Sequence, residues 1–232
     1  VRGRPTKVTA RNIMTSYPVH VVFPGRLVFV GFGSIGQGVL PLILRHVGIQ
    51  PDQVAIVTAD EAGEKLAQEY GVRFVKHALT RQNFKNVLDP IVGRGDFLLN
   101  LSVDVSSIAL IKFCWEKGSL YLDTCIEPWP GGYTDPTVSP ARRTNYALRE
   151  EALTLKDSKQ RAPTAVLTHG ANPGLVSHLV KQALLNIASD TGVETAEPGT
   201  RADWAALAHK LGVKVIHIAE RDTQRSKKPK PM

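Results

Sequence analysis

The sequence predicts an α/β protein: a Rossmann-type doubly wound parallel sheet, followed by the start of a second α+β domain. Three observations predict it. Short apolar runs rich in β-formers alternate with helical stretches, which is the pattern of βαβ units. A G-x-G-x-x-G joins the first such run to the first helix, and an acid stands at the end of the second run. At 232 residues, with 43% hydrophobic and 22% charged, the chain can bury one α/β core and begin another.

The elements follow in order. Residues 1–25 hold Pro5, Pro18 and Pro24 without a clear period and read as an N-terminal arm. Leu27–Val30 is an apolar run between Gly25 and Gly31 and predicts a buried strand. Ile35–His46 predicts a helix with Pro41 as a kink. Val54–Val57 is a second buried strand, Glu61–Tyr70 a helix ended by Gly71, and Val72–Val75 a third strand. Gln82–Leu88 is a short helix, Asp96–Leu101 a fourth strand, Val105–Lys117 a helix closed by Gly118, and Ser119–Leu122 a fifth strand. Residues 126–140 carry four prolines and two glycines and form a long, stiff loop. Beyond it, Ala141–Asp157 predicts a helix, Pro163–Thr168 a strand, Gly174–Ser189 and Trp204–Leu211 helices, and Val213–Ala219 a strand. The expected boundaries are an arm at 1–25, a dinucleotide-binding domain at 26–168, and the beginning of a substrate and dimerisation domain at 169–232.

The formal net charge of +8 resides in the tails. Residues 1–26 carry +5 and residues 221–232 carry +4, which leaves the body at −1. A nucleic-acid-binding face needs clustered charge on the folded body, so no nucleic-acid partner is expected. No run approaches the 18 apolar residues of a membrane span, and no secretory signal is evident. Cys114 and Cys125 are too few for a disulfide framework, so a cytoplasmic setting is expected. The histidines, among them His20, His46, His77, His178, His209 and His217, fall without ligand spacing, and no metal is expected.

The glycine loop Gly31-Phe32-Gly33-Ser34-Ile35-Gly36 carries the most information. Gly31 permits the tight turn, Gly33 lets a pyrophosphate approach the backbone, and Gly36 lets the helix pack on the sheet. The N–H groups of the first helical turn, at Ser34, Ile35 and Gly36, then face the phosphates. Thr58 and Asp60 end the second strand, with Asp60 placed 24 residues after Gly36 to accept the ribose hydroxyls. Glu61 adds repulsion against a 2′-phosphate and no Arg lies nearby, so NAD is expected over NADP. Asp60 as an N-cap of the following helix is the competing role.

Polar residues gather where other strands end. Asn100, Ser102 and Asp104 leave the fourth strand, Asn100 and Ser102 on the cofactor side. Cys125, Glu127 and Trp129 leave the fifth, and His169-Gly170-Ala171-Asn172-Pro173-Gly174 leaves the sixth. Glu220 closes the last predicted strand. Converging carboxylates at Asp104, Glu127 and Glu220 would suit a cation; singly, each reads equally well as a cap or surface acid. Cys125 lacks Cys–His spacing and reads as packing. Trp129 either covers the site or anchors its loop.

Phe32-Gly33-Ser34-Ile35-Gly36-Gln37-Gly38, Val57-Thr58-Ala59-Asp60, Asn100-Leu101-Ser102, Leu122-Asp123-Thr124-Cys125-Ile126-Glu127-Pro128-Trp129 and Thr168-His169-Gly170-Ala171-Asn172-Pro173-Gly174 together resemble bacterial homospermidine synthases, relatives of the saccharopine dehydrogenases. The resemblance runs from about Gly25 to Asp222. It implies an NAD-dependent transferase of polyamine biosynthesis. Putrescine is oxidised to an imine, ammonia leaves, a second putrescine adds, and the new imine is reduced with the retained NADH. It further implies substrate-side acids at Asp104, Glu127 and Glu220, with Asn172 near the reacting carbon, so that Asn172 and Glu220 serve catalysis. Members of that family continue into a second domain and can form homodimers, so this chain matches their N-terminal part. A saccharopine-dehydrogenase-like or carboxynorspermidine-type oxidoreductase is the alternative, but its substrate carboxylate needs an Arg or Lys that the strand-end motifs lack. A truncated NAD-binding module is a third reading.

Overall fold

The computed structural model describes residues 17–156 and 161–221. Most of the expected arm, the predicted helix end at Asp157 and the basic tail from Asp222 onward lie outside these residues. The chain divides into two compact units, Val1–Pro173 and Gly174–Met232.

The first unit is built on a six-stranded sheet. Its strands are β2 (Leu27–Val30), β4 (Val54–Thr58), β5 (Arg73–Lys76), β6 (Phe97–Asn100), β7 (Leu120–Asp123) and β8 (Ala165–Val166). They lie in the order β5-β4-β2-β6-β7-β8, every pair parallel. Counting only these six strands, that is the order 3-2-1-4-5-6 of a doubly wound fold. The strand order reverses at β2, which pairs with both β4 and β6, and the crevice there opens at the carboxyl ends of the strands.

The central strands are continuous apolar runs because both faces are covered. In β2, Val28 and Val30 join Leu98, Leu110 and Phe113 in one core; Leu27 and Phe29 join Leu40, Leu44 and Ile56 in the other. The edge strand β5 exposes Arg73 and Lys76. At the opposite end of the strands, the Arg26 backbone N–H and guanidinium Nε both donate to the buried Asp96 carboxylate, at 2.8 and 2.9 Å, fixing the starts of β2 and β6 against each other.

The helices are α1 (Ser34–His46), α2 (Glu64–Glu69), α3 (Phe84–Leu88), α4 (Ser107–Lys117) and α5 (Asn145–Thr154), with α6 (Leu175–Asp190) and α7 (Arg201–Lys210) in the second unit. Pro41 lies inside α1 without ending it. The helix expected from Glu61 begins only at Glu64, after a turn in which Glu64 N–H donates to the Glu61 carbonyl. The helix expected over 141–157 divides into a 3₁₀ turn at Pro140–Arg142 and α5, because Thr144 takes an extended conformation and its hydroxyl caps Ala147 N–H.

Two expectations are corrected. The arm is not wholly irregular: Val21–Val22 forms β1, paired in parallel with β3 (Val47–Gly48). Val213–Ala219 forms no strand; the segment leaves α7 irregular, with Val215, Ile216 and Ile218 exposed. Alternating β-formers make a strand only where a ladder partner exists, and none lies beside this segment among the described residues. The second unit has its own small core of Leu184, Ala188 and Leu207, and α7 starts with a capping box between Thr200 and Asp203. No helix among the described residues is long and apolar enough to cross a membrane.

Candidate dinucleotide and substrate site

The turn from β2 into α1 uses each glycine differently. Gly31 has φ +85°, and a Cβ there would stand 2.7 Å from the Ser102 backbone in the loop after β6. Only glycine satisfies both constraints. At Gly36 a Cβ would meet the Phe32 ring at 2.9 Å, so the helix lies tightly against its own turn. Phe32, which the sequence reading passed over, is fully buried and packs edge-on against Phe29 and Phe74. It is the apolar plug on which the loop rests.

Gly33 is exposed and has open space where a Cβ would be. It is the N-cap of α1, and no side chain caps that helix. The first bond of the helical ladder runs from Gln37 N–H to the Gly33 carbonyl, so the N–H groups of Ser34, Ile35 and Gly36 precede it. An uncapped 13-residue helix with backbone donors at an exposed glycine is suited to an anion.

A cleft of about 470 Å³ opens here, at the carboxyl ends of β2, β4, β5 and β6. Gly31 and Gly33 line it, with Thr58, Asp60, Ser102 and Asp104. Asp60 accepts the Ala62 N–H at 2.9 Å, an Asx-type turn. It does not cap α2, which starts at Glu64. Glu61 is not an unopposed negative charge. Lys76 Nζ lies 2.6 Å from its Oε2, because β5 pairs in register with β4 and sets Lys76 opposite Thr58. The ion pair holds Glu61 below, and Lys76 above, their ordinary pKa values. The sequence offers no Arg beside Asp60, but a cation does stand next to Glu61: Lys76, supplied by the neighbouring strand.

On the other side of the switch point a buried hydrogen-bond chain begins at Ser102. The Ser102 hydroxyl donates to Asn100 Oδ1 at 2.6 Å, and Asn100 Nδ2 donates to the Tyr121 hydroxyl at 3.2 Å. Tyr121 donates to Asp123 Oδ2 at 2.8 Å, and Asp123 Oδ1 accepts the Thr168 N–H at 2.6 Å. Asp123 is completely buried. Burial pushes its carboxyl above the ordinary range against the pull of these donors, and burial with the Asp123 charge pushes the Tyr121 phenol well up. Thr168 is held at φ 54°, a left-handed conformation that costs a β-branched residue about 1–3 kcal/mol. The next residue, His169, donates its N–H to the Asp123 carbonyl. The loop bearing Asn172 is thus set by Asp123. Asn172 is exposed and precedes a cis peptide bond to Pro173. The quoted sequence motif contains Asp123, yet nothing in the spacing distinguished it; a single acid ending an apolar strand was the available signal.

The loop after β7 brings Glu127 and Asp104 together. Ser107 clamps the Glu127 backbone, donating its N–H to the Glu127 carbonyl and accepting the Glu127 N–H on its hydroxyl, at 2.9 and 3.0 Å. Burial raises the Glu127 carboxyl, which the Cys125 thiol hydrogen-bonds; the charge of Asp104 raises it further, while the Asp104 N–H opposes the shift. The Cys125 thiol is pushed up by burial and then by Glu127, so it is a proton donor rather than a thiolate. The Tyr133 hydroxyl donates to the Ile126 carbonyl at 3.0 Å and is pushed up to about 12 by burial and Glu127. Trp129 packs against Phe84, ring centroids 5.5 Å apart, and so anchors its loop to the core. Glu220 lies exposed in the second unit, and the strand expected to present it is absent.

A doubly wound sheet with a glycine turn, an uncapped helix start and an acid at the second strand's end defines the class: a dinucleotide-binding domain. The open space at Gly33 and the unopposed N–H groups of α1 fit a pyrophosphate. Residues 27–167 match the saccharopine dehydrogenase NADP binding domain, and the chain belongs to that family. It is 49% identical over 221 residues to a homospermidine synthase of Blastochloris viridis and 48% identical over 222 residues to one of Mesorhizobium japonicum. These alignments cover 94% of this chain and 46% of each relative, so the chain spans about half the length of the curated relatives it matches. A crystal structure of the homospermidine synthase of Legionella pneumophila in complex with NAD superposes with a TM-score of 0.79 at 47% identity, covering 90% of this chain and 43% of that one.

Proposed function

We propose that this chain is the cofactor-binding part of an NAD-dependent homospermidine synthase, an aminobutyl transferase that makes homospermidine and ammonia from putrescine. The observation that carries the cofactor half is the uncapped start of α1 at Gly33, opening on a cleft that ends at Asp60. The chemistry that NAD supplies when bound is reversible hydride transfer. The chain's own residues bind and orient. Backbone N–H groups of Ser34, Ile35 and Gly36 take the pyrophosphate, and Gly31 lets the turn pass beside Ser102. Asp60 takes the ribose hydroxyls, Thr58 shapes the cleft beside it, and Asn100 fixes Ser102 on the nicotinamide side.

Asp104 and Glu127 hold the ammonium groups of the diamine. The carboxyl of Glu127, raised by burial, keeps more proton affinity than an ordinary glutamate. It therefore suits an amine that must shed a proton before hydride leaves. Asn172 completes the substrate side of this unit in this reading, in a cytoplasmic enzyme that dimerises at full length. Titration calorimetry tests the cofactor half: the chain binds NAD, and Asp60→Ala loses about 1.5–3 kcal/mol of that binding, the size of a charged hydrogen bond. Unchanged affinity in Asp60→Ala overturns the ribose role. In a full-length relative carrying the same residues, Glu127→Gln abolishes homospermidine formation, read by mass spectrometry, while NAD affinity holds.

A further inference from the structure

The outer end of the cleft carries a device that the glycine loop does not explain. Asp60 and His77 line that end, and each is one residue away from a member of the Glu61–Lys76 ion pair. The ammonium lies 2.6 Å from Glu61 Oε2 and also feels the charges of Glu64 and Asp60. Lys76 sits on the exposed edge strand, with about half of its side chain open to solvent. An acid at the tip of β4 is where a ribose 2′-position arrives, and a cation beside it is the usual receptor of a 2′-phosphate. Here that cation is present but engaged by a neighbouring carboxylate. The match to a family described as NADP binding, and the likeness to a structure solved with NAD, make the choice between the two a real question for this cleft.

We infer that Glu61 is a specificity-determining residue that works through Lys76: by engaging the ammonium it withholds from a 2′-phosphate the cation that would otherwise receive it. Asp60 repels that phosphate directly, and Glu61 removes its counter-ion. The pair is exposed, and exposed ion pairs are weak. Glu61 therefore biases the site rather than sealing it, and a dianionic phosphate competes for Lys76 once the two acids are neutralised. The inference rests on reading the cleft as a dinucleotide site.

The test is a ladder of variants of the chain, each titrated with NAD and with NADP by calorimetry: Asp60→Ser, then Asp60→Ser/Glu61→Gln, then Asp60→Ser/Glu61→Gln/Lys76→Met. The double variant is expected to bind NADP about fivefold more tightly than Asp60→Ser, with NAD affinity unchanged within about twofold, the scale of one exposed ion pair. Adding Lys76→Met should return NADP affinity to the Asp60→Ser level. The NADP gain should also shrink between low and high salt, because the contact is exposed. No gain on adding Glu61→Gln, or a gain that survives Lys76→Met, overturns the inference. Failure of the unaltered chain to bind NAD overturns the reading of the cleft itself. All three positions are at the surface, and a thermal melt of each variant confirms that it is folded.

Discussion

The two sides of the switch point are built from different materials. On the β2–β4 side the cleft is walled by backbone, with glycines, the start of a helix and one exposed acid. On the β6–β7–β8 side it rests on a buried side-chain network, Ser102–Asn100–Tyr121–Asp123, whose last acceptor fixes the Thr168 backbone 45 residues away. The first side tolerates chemical change wherever no Cβ clashes. The second has a buried carboxylate that must stay satisfied. The contrast teaches where mutation costs folding and where it costs binding.

The largest expected effect falls within the backbone side and separates two of its glycines. Gly31→Ala forces a side chain into a left-handed turn and against the Ser102 backbone at 2.7 Å. It should destabilise the chain by about 3 kcal/mol or more, read by urea denaturation, since backbone on both sides of the contact must move. A loss under about 1 kcal/mol would mean the turn relaxes freely.

This difference in material also explains what the sequence revealed. The parallel sheet, its strands and the glycine turn are local patterns: apolar runs of four or five residues and a six-residue motif. Each could be read without knowing what it touches. Asn100, Tyr121, Asp123 and Thr168 form their network only after β6, β7 and β8 pair, and their spacing carries no period. Lys76 was missed for the same reason, since register rather than proximity in sequence sets it beside Glu61. Asp104 and Glu127 were named as candidates, but their meeting depends on Ser107 clamping the Glu127 backbone to the start of α4. The strand expected at Val213–Ala219 failed in the opposite direction: its local pattern was right and its partner is missing among the described residues.

The network side should break next. Asp123→Ala leaves the Thr168 N–H and the Tyr121 hydroxyl without their acceptor and should cost about 2–4 kcal/mol, while Asp123→Asn retains one acceptor oxygen and should cost less than half as much. Because the folded carboxyl is raised above its ordinary 3.8, the native state binds this proton more readily than the unfolded one. Its contribution is fully present below 3.8 and is lost as pH rises through the raised value. Asp123→Asn should therefore flatten that part of the stability–pH profile, and an unchanged slope would place the titration elsewhere.

The smallest effect on stability is also the sharpest probe of the comparison. Helix α4 begins with Ser106, whose hydroxyl accepts the Ala109 N–H, whereas α1 begins with bare Gly33. Gly33 sits at φ −73° and ψ −158°, a conformation open to any residue, and a Cβ there meets nothing. Folding alone would favour a serine: Gly33→Ser supplies the missing cap and should raise stability by a few tenths of a kcal/mol. The same hydroxyl would occupy a backbone N–H and the space through which a pyrophosphate approaches. NAD affinity should then fall about tenfold, measured by calorimetry on the same preparation. A variant that is more stable and binds NAD as well as before would show that α1 does not receive the phosphates. One that is more stable and binds poorly shows that the chain leaves this helix end uncapped for its ligand, at a small cost in stability.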